Sequence, residues 1–312
     1  MSPTTPAATV APGKARATST SSRRSRRNQD TGGQGAANPL AKLTVLIVCL
    51  LWIVPTFGLL ITSFRNRDDA NSSGWWNVFT SPSSLSRLTF DSYHEVWTKA
   101  KLGDAFINSF AIALPATFIP VLIAAFAAYA FAFMRFPGRD VLFILIVSLL
   151  VVPNYVALVP LLKIYGDFHL TGTFPAVWLA HIGFGMSLAI YIFRNYMSTL
   201  PKELIESAKI DGASHFTTFW RLIIPMSVPA LASFAIFQFL WVWNDLLVAL
   251  VFIGTGDNQP ITIAVKQLIG QQGQGWQLVT AGGFISMIVP IIVFLSLQRF
   301  FVRGLTAGSV KG

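Results

Sequence analysis

Hydrophobic positions in this chain do not alternate with polar ones; they run together. Six stretches carry no Asp, Glu, Lys or Arg: Leu43–Phe64, Ala105–Met134, Val141–Leu162, Phe168–Phe193, Leu222–Asn244 and Leu278–Gln298. Each has about the 20 residues that an α-helix needs to cross the hydrocarbon of a bilayer. The period-2 pattern of a membrane β-barrel is missing, and inside lipid only helices and closed barrels satisfy their own backbone. The pattern predicts an all-α membrane protein with six transmembrane helices. Pro55, Pro115, Pro120, Pro153, Pro229 and Pro290 fall inside the runs, where they are expected to kink helices. The third and fourth runs are separated by a short turn, Lys163–Asp167.

Polar residues divide the rest. Residues 1–38 are Ser-, Thr-, Ala-, Pro-, Gly- and Arg-rich, with a basic centre at Ser21–Arg27. Such a segment cannot bury enough apolar surface to offset its chain entropy, so a disordered basic tail is expected, followed by a membrane domain over 39–312. With the N-terminus placed in the cytoplasm, sixteen Lys and Arg lie on the inner side and seven on the outer side, where seven acids balance them. The positive-inside rule therefore predicts that both termini are cytoplasmic. Two outer loops are long: about 65–104, which carries Trp75, Trp76, Tyr93 and Trp97, and about 254–277, which is Gly- and Gln-rich.

Composition agrees with a lipid solvent. The 312 residues are 53% hydrophobic and 12% charged, against about one-quarter charged in soluble domains. The net charge of +10 sits in the tail and between apolar runs rather than on one surface, so no nucleic-acid partner is implied. One cysteine, Cys49, excludes an internal disulfide or a Cys-based metal site. His94, His169, His181 and His215 lack metal-ligand spacing. His181 and Ser187 share a run, but a six-residue separation places them on different helix faces, which argues against an intramembrane hydrolase.

The longest inner loop, 194–225, reads as a structured element. In "ELIESAKIDGA" (Glu203–Ala213), Pro201 and Glu203 suit a helix start, and Gly212 permits a sharp turn. Leu204, Ala208 and Asp211 fall near one face, flanked by Ile205 and Ile210. A second helical segment, Ser214–Pro225, enters the fifth span, with Phe216, Phe219, Trp220 and Ile223 suited to the interface or membrane. Small residues and the carboxylates of Glu206 and Asp211 make this a docking knob for a soluble partner or a solvated amphipathic loop. Spacing alone leaves both open.

A family pattern does not. Glu206-Ser207-Ala208, then Gly212, then Leu222-x-Ile224-Pro225 resembles the EAA signature of ABC importer permeases: E-A-A, three residues, G, nine residues, I-x-L-P. Ser207, Leu222 and Ile224 depart from it conservatively. Asn108–Phe110, Val152–Leu161, Trp243–Leu250 and Gly304–Gly312 are similar to the carbohydrate-uptake branch, of the MalG-like kind. The resemblance covers about 40–312.

The resemblance implies a type I, MetI-like importer permease whose loop is a cytoplasmic coupling helix between helices 4 and 5. Glu206, Ser207, Ala208, Asp211 and Gly212 would couple to a separate ATPase, with Glu206 pairing a basic group there. Implied partners are a second permease subunit, two ATPase subunits, an extracytoplasmic sugar-binding protein and the bilayer of a prokaryotic cytoplasmic membrane. No cofactor is expected on this chain, which lacks GxxxxGK[ST]; ATP and Mg would be used by the ATPase. The C-terminal tail, with Lys311 as its charge, would reach that ATPase; an ordinary terminus would simply fray.

Asp245 directly follows the fifth run, beside Trp241, Trp243 and Asn244, and is expected to lie inside the fifth span. Carboxylates at membrane depth face protein or a water-filled path. Trp241, Asn244 and Asp245 are therefore candidates to line a translocation path, and an interhelical bond that fixes packing is the other reading. The competing function is an ion-coupled secondary transporter using Asp245 without an ATPase.

Overall fold

The structure, a computed structural model, describes residues 39–269 and 275–306, with side chains through Leu297. The expected tail (1–38) and Lys311 lie outside the described residues. In chain order the helices are α1 (Pro39–Ser63), then four short ones, α2 (Arg67–Ser72), α3 (Asn77–Thr80), α4 (Pro82–Leu85) and α5 (Asp91–Thr98). Next come α6 (Leu102–Phe133), α7 (Arg139–Ser148), α8 (Leu158–Asp167), α9 (Phe174–Met197) and α10 (Lys202–Ile210). The last are α11 (His215–Thr218), α12 (Ile224–Trp243), α13 (Leu247–Phe252), α14 (Ile261–Gln267) and α15 (Trp276–Thr306). Among the described residues there is no β-strand.

Five helical segments are long and apolar enough to cross a membrane: Pro39–Ser63, Leu102–Phe133, Phe174–Met197, His215–Trp243 and Trp276–Leu297. A sixth apolar segment is long enough only as a pair, Arg139–Val151 and Asn154–Asp167, bent by 93° at the break between them, the form of a broken span or a re-entrant loop. The described residues divide into two compact units, with the boundary between Pro55 and Thr56. In the first unit, α1 exposes Leu43, Leu50 and Trp52 around its circumference. A helix apolar all round belongs in lipid or in a protein core.

The second unit is built on α6, which packs along α9 and α12, while α12 also packs on α15. The contacts are made through small residues. Ala113, Ala116, Ala124, Ala125 and Ala128 of α6 and Ala176, Ala180 and Ala189 of α9 are buried. Without a hydrophobic drive between helices in lipid, close backbone approach through small side chains supplies the packing. Two apolar clusters result. One joins Val177, Phe239, Trp243, Phe252 and Ile261; the other joins Tyr129, Phe193, Met197, Ile205, Phe219, Ile223 and Phe234.

Three sequence expectations are corrected. The third span is not a continuous helix over Val141–Leu162. Val152 and Pro153 are extended (ψ 121° and 120°) between two 3₁₀ turns, Leu149–Val151 and Asn154–Ala157. Pro153 offers no N–H and pushes Val152 out of the helical region, so the run breaks rather than kinks. The expected turn Lys163–Asp167 is the end of α8; the chain turns at Phe168–Thr173, with Gly172 at φ 82°. Finally, Asp245 lies beyond the end of α12, not inside it.

Both long loops carry structure. In 65–104, the Arg65 guanidinium is buried and donates to the Asp69 carbonyl, the Ser73 carbonyl and Ser73 Oγ. Burial holds its pKa below the ordinary arginine value. In 254–277, α14 enters the core with Ile261 and Ile263 fully buried. Ser109 Oγ accepts from the Ile261 N–H (2.8 Å) and donates to the Ala105 carbonyl (3.0 Å), tying α14 to α6.

Candidate functional site

The loop between α9 and α12 is a short helix, an elbow and a second helix start. Pro201 is the N-cap of α10 and Glu203 lies in its first turn. At the other end the Gly212 N–H donates to the Lys209 carbonyl (3.0 Å) and the Ala213 N–H to the Ala208 carbonyl (2.9 Å). This is a Schellman closure, which requires a left-handed residue at Gly212; its φ is 76°. Ser214 then caps α11, its Oγ accepting from the Thr217 N–H.

The two faces of α10 differ. Ile205, 5% exposed, inserts into the cluster formed by Phe193 and Met197 of α9, Phe219 and Ile223 ahead of α12, and Tyr129 of α6. Ile210, by contrast, is 86% exposed. Glu203, Glu206, Ser207, Asp211 and Gly212 are exposed and Ala208 is half-buried. Sequence spacing made Ile205 and Ile210 equal flanks. Their positions separate an anchor from an unpartnered apolar side chain, and neighbouring Phe216 is also exposed.

Glu206 forms no ion pair among the described residues. It borders a space of about 600 Å³ shared with Arg135, Arg139, Lys202 and Lys209. His215 lines the same space and shares a hydrogen bond with the Tyr129 hydroxyl (2.9 Å), which ties the elbow to α6. Sequence reading missed this bond because the two residues are 86 positions apart. After α11, residues Phe219–Ile223 form a π-helical turn, an extra residue in the helix between elbow and span. Such bulges often occur at functional sites.

The residues around Asp245 separate into layers. Trp243 is buried, stacked on Phe239, and donates from Nε1 to the Ser286 carbonyl (3.1 Å), so it holds α15 to α12. Asn244 is the C-cap of α12, its side-chain amide donating to the Leu240 carbonyl (2.7 Å). The Asp245 carboxylate accepts from the Ala249 N–H (3.0 Å), capping α13, and its carbonyl accepts from Thr262 Oγ1 (2.7 Å). Its Oδ2 lies 3.8 Å from His181 Nε2, with both side chains almost fully buried. Trp241 stands edge-on to His181 (5.7 Å, 83°).

Trp241 also borders a cavity of about 500 Å³ between the broken third span, α9 and α12. Asn154, Gly183, Ser187 and Gln238 line it as well; Asn244 and Asp245 do not. Of the three residues considered for a path, the structure thus brings one to a cavity. Asn154, Ser187 and Gln238 were missed because they come from three separate runs.

The family described as "Binding-protein-dependent transport system inner membrane component" matches residues 120–307. The chain is 55% identical over 270 residues to the osmoprotective compounds uptake permease protein GgtD of Synechocystis sp., covering 86% of this chain and 91% of that protein. It is 41% identical to the alpha-glucoside transport system permease protein AglG of Rhizobium meliloti, covering 86% and 96%. Among solved structures, a bacterial ABC transporter involved in the import of the acidic polysaccharide alginate matches with a TM-score of 0.72 at 20% identity, covering 84% of this chain and 95% of that one.

Proposed function

The chain belongs to the binding-protein-dependent transport system inner membrane components, the multi-pass permeases of ABC importers, and from that membership we propose that it forms half of the translocation path of an ATP-driven sugar importer. The substrate class follows the AglG relative, whose name specifies an alpha-glucoside; GgtD adds osmoprotective compounds. A second permease subunit completes the path. Two ATPase subunits bind and hydrolyse ATP with Mg, and an extracytoplasmic binding protein delivers the sugar. The chain sits in a prokaryotic cytoplasmic membrane with both termini inside, and its C-terminal tail, with Lys311, reaches the ATPase.

The observation that carries the coupling role is the anchoring of α10. Ile205 shares one apolar cluster with the ends of α6 and α9 and the start of α12. A push on α10 therefore moves packed helices, not a loose loop. The elbow at Gly212 fixes its angle. Ile210, Glu206, Ser207 and Asp211 offer the outward contact, with Ala208 allowing close approach. Alternating access needs an element whose two positions are biased differently by ATP and by the loaded binding protein.

The test is co-purification of the full complex. Ile210→Asp and Glu206→Lys are expected to lower recovery of the ATPase while the second permease stays bound. Wild-type recovery and sugar-dependent ATP hydrolysis in both variants would refute the assignment of α10.

A further inference from the structure

We propose that the cavity bordered by Trp241 is a binding site for one neutral pyranose ring of the imported solute, contributed by this subunit itself. The inference rests on the importer reading above and adds a specificity site to it. Its volume of about 500 Å³ falls within the roughly 300–1,000 Å³ of small-molecule sites. Its wall is mostly apolar, with an indole, two side-chain amides and one hydroxyl: Trp241, Asn154, Gln238 and Ser187. No lining residue is charged, which disfavours ionic solutes; hydroxyl-bearing rings match amides and an aromatic face.

Gln238 gives the strongest indication. It is fully buried. Its Nε2 is occupied by the carbonyls of Ala116 (3.2 Å) and His181 (3.3 Å). Its Oε1 has no partner in the structure. A buried acceptor left unmade costs about 1–3 kcal/mol, so a donor that reaches it from the cavity, such as a sugar hydroxyl, gains on that order. The amide is accommodated by Gly185, where any Cβ would come within 2.7 Å of Gln238 Oε1. Trp241 lies one helical turn from Gln238 on the same helix face, and its ring is steadied by His181, which Asp245 approaches in turn. His181 and Asp245 are positioning residues behind the ring. Asn154, directly after the break at Val152–Pro153, lines the cavity from the third span.

Gly183 supplies a steric test. A Cβ added there meets nothing within 4 Å, although the residue lines the cavity. Gly183→Leu should project its side chain into the space, its Cβ meeting no protein atom. The experiment reconstitutes the complete complex with its binding protein in liposomes. Uptake is measured with whichever radiolabelled α-glucoside the wild type carries among maltose, trehalose and sucrose, and with mono-deoxy analogues. Loaded binding protein is kept saturating, so that its own selectivity drops out.

Gly183→Leu is expected to lower uptake at least tenfold with the second permease still co-purifying. Gln238→Leu is expected to abolish the wild type's discrimination against one deoxy analogue; a purely structural defect would slow parent and analogue alike. Trp241→Ala should lower the uptake rate at saturating loaded binding protein, with Trp241→Phe restoring most of it. Wild-type uptake in Gly183→Leu, or an unchanged analogue ratio in Gln238→Leu, overturns the subsite while the importer reading stands. Loss of the second permease from Gly183→Leu shows a subunit contact in the cavity and also overturns it. A wild-type complex that carries none of these sugars under ATP removes the α-glucoside reading and the subsite with it.

Discussion

Gly212→Ala isolates a single backbone requirement. Gly212 adopts φ 76°, and a Cβ there meets nothing within 4 Å. The substitution therefore costs no packing. What remains is the left-handed conformation, about 1–2 kcal/mol for a residue with a Cβ, or roughly 5- to 30-fold in the population of the elbow. Two hydrogen bonds depend on that conformation, from residue 212 to Lys209 and from Ala213 to Ala208. Hydrogen exchange of the Ala213 amide should accelerate by about that factor. Sugar-dependent ATP hydrolysis in the full complex should fall, because the angle between α10 and α11 is no longer fixed. Gly212→Asn should lose less in both measurements, since Asn visits the left-handed region more readily. If Gly212→Ala matched the wild type in exchange and coupled hydrolysis, the elbow would have no mechanical role and the reasoning would fail.

Ile205→Ala should cost about 2–5 kcal/mol because the side chain is 5% exposed inside the second cluster; faster amide exchange throughout α10, with α6 and α9 unaffected, is the expected reading. Asp245→Asn keeps an acceptor for the Ala249 N–H and should preserve ATP-driven uptake, whereas Asp245→Leu should lower the melting temperature of the complex by stranding that N–H, at about 1–3 kcal/mol. Abolished uptake in Asp245→Asn with a normal melting temperature would instead favour ion coupling through the carboxylate. Ser109→Ala removes the acceptor of the buried Ile261 N–H and should cost about 1–3 kcal/mol, seen as faster exchange at Ile261 and a looser α14.

Long-range apolarity was legible because the bilayer demands it: five spans follow the charge-free runs to within a few residues at most ends. The third was misread because its composition is uniform and only Pro153 marks the break. Val152, held extended by that proline, was the available signal. The sequence Asn244-Asp245 was likewise a readable stop and start, an amide at a helix C-cap followed by a carboxylate for the next helix. Treating the fifth run as unbroken hid it. The elbow was legible at Gly212, since local chemistry fixes it. The difference between Ile205 and Ile210 was not, because it depends on which face meets α6 and α9. The cavity was illegible for the same reason: Asn154, Ser187 and Gln238 meet only after three helices have packed. The four short helices of 65–104 were hidden by polar composition, their order set by contacts such as those of buried Arg65.

The central claim is that an ATPase drives the membrane helices through α10. Cys49 is the single cysteine and is exposed on α1, so a Cys49→Ala background admits one reporter thiol. Ser207→Cys places it on the exposed face of α10. Disulfide cross-linking to cysteines scanned over the ATPase surface should then give one strong product, whose yield changes when ATP is bound and again when loaded binding protein is added. A cross-link that forms at no ATPase position, in a complex that still imports sugar with ATP, would contradict the account.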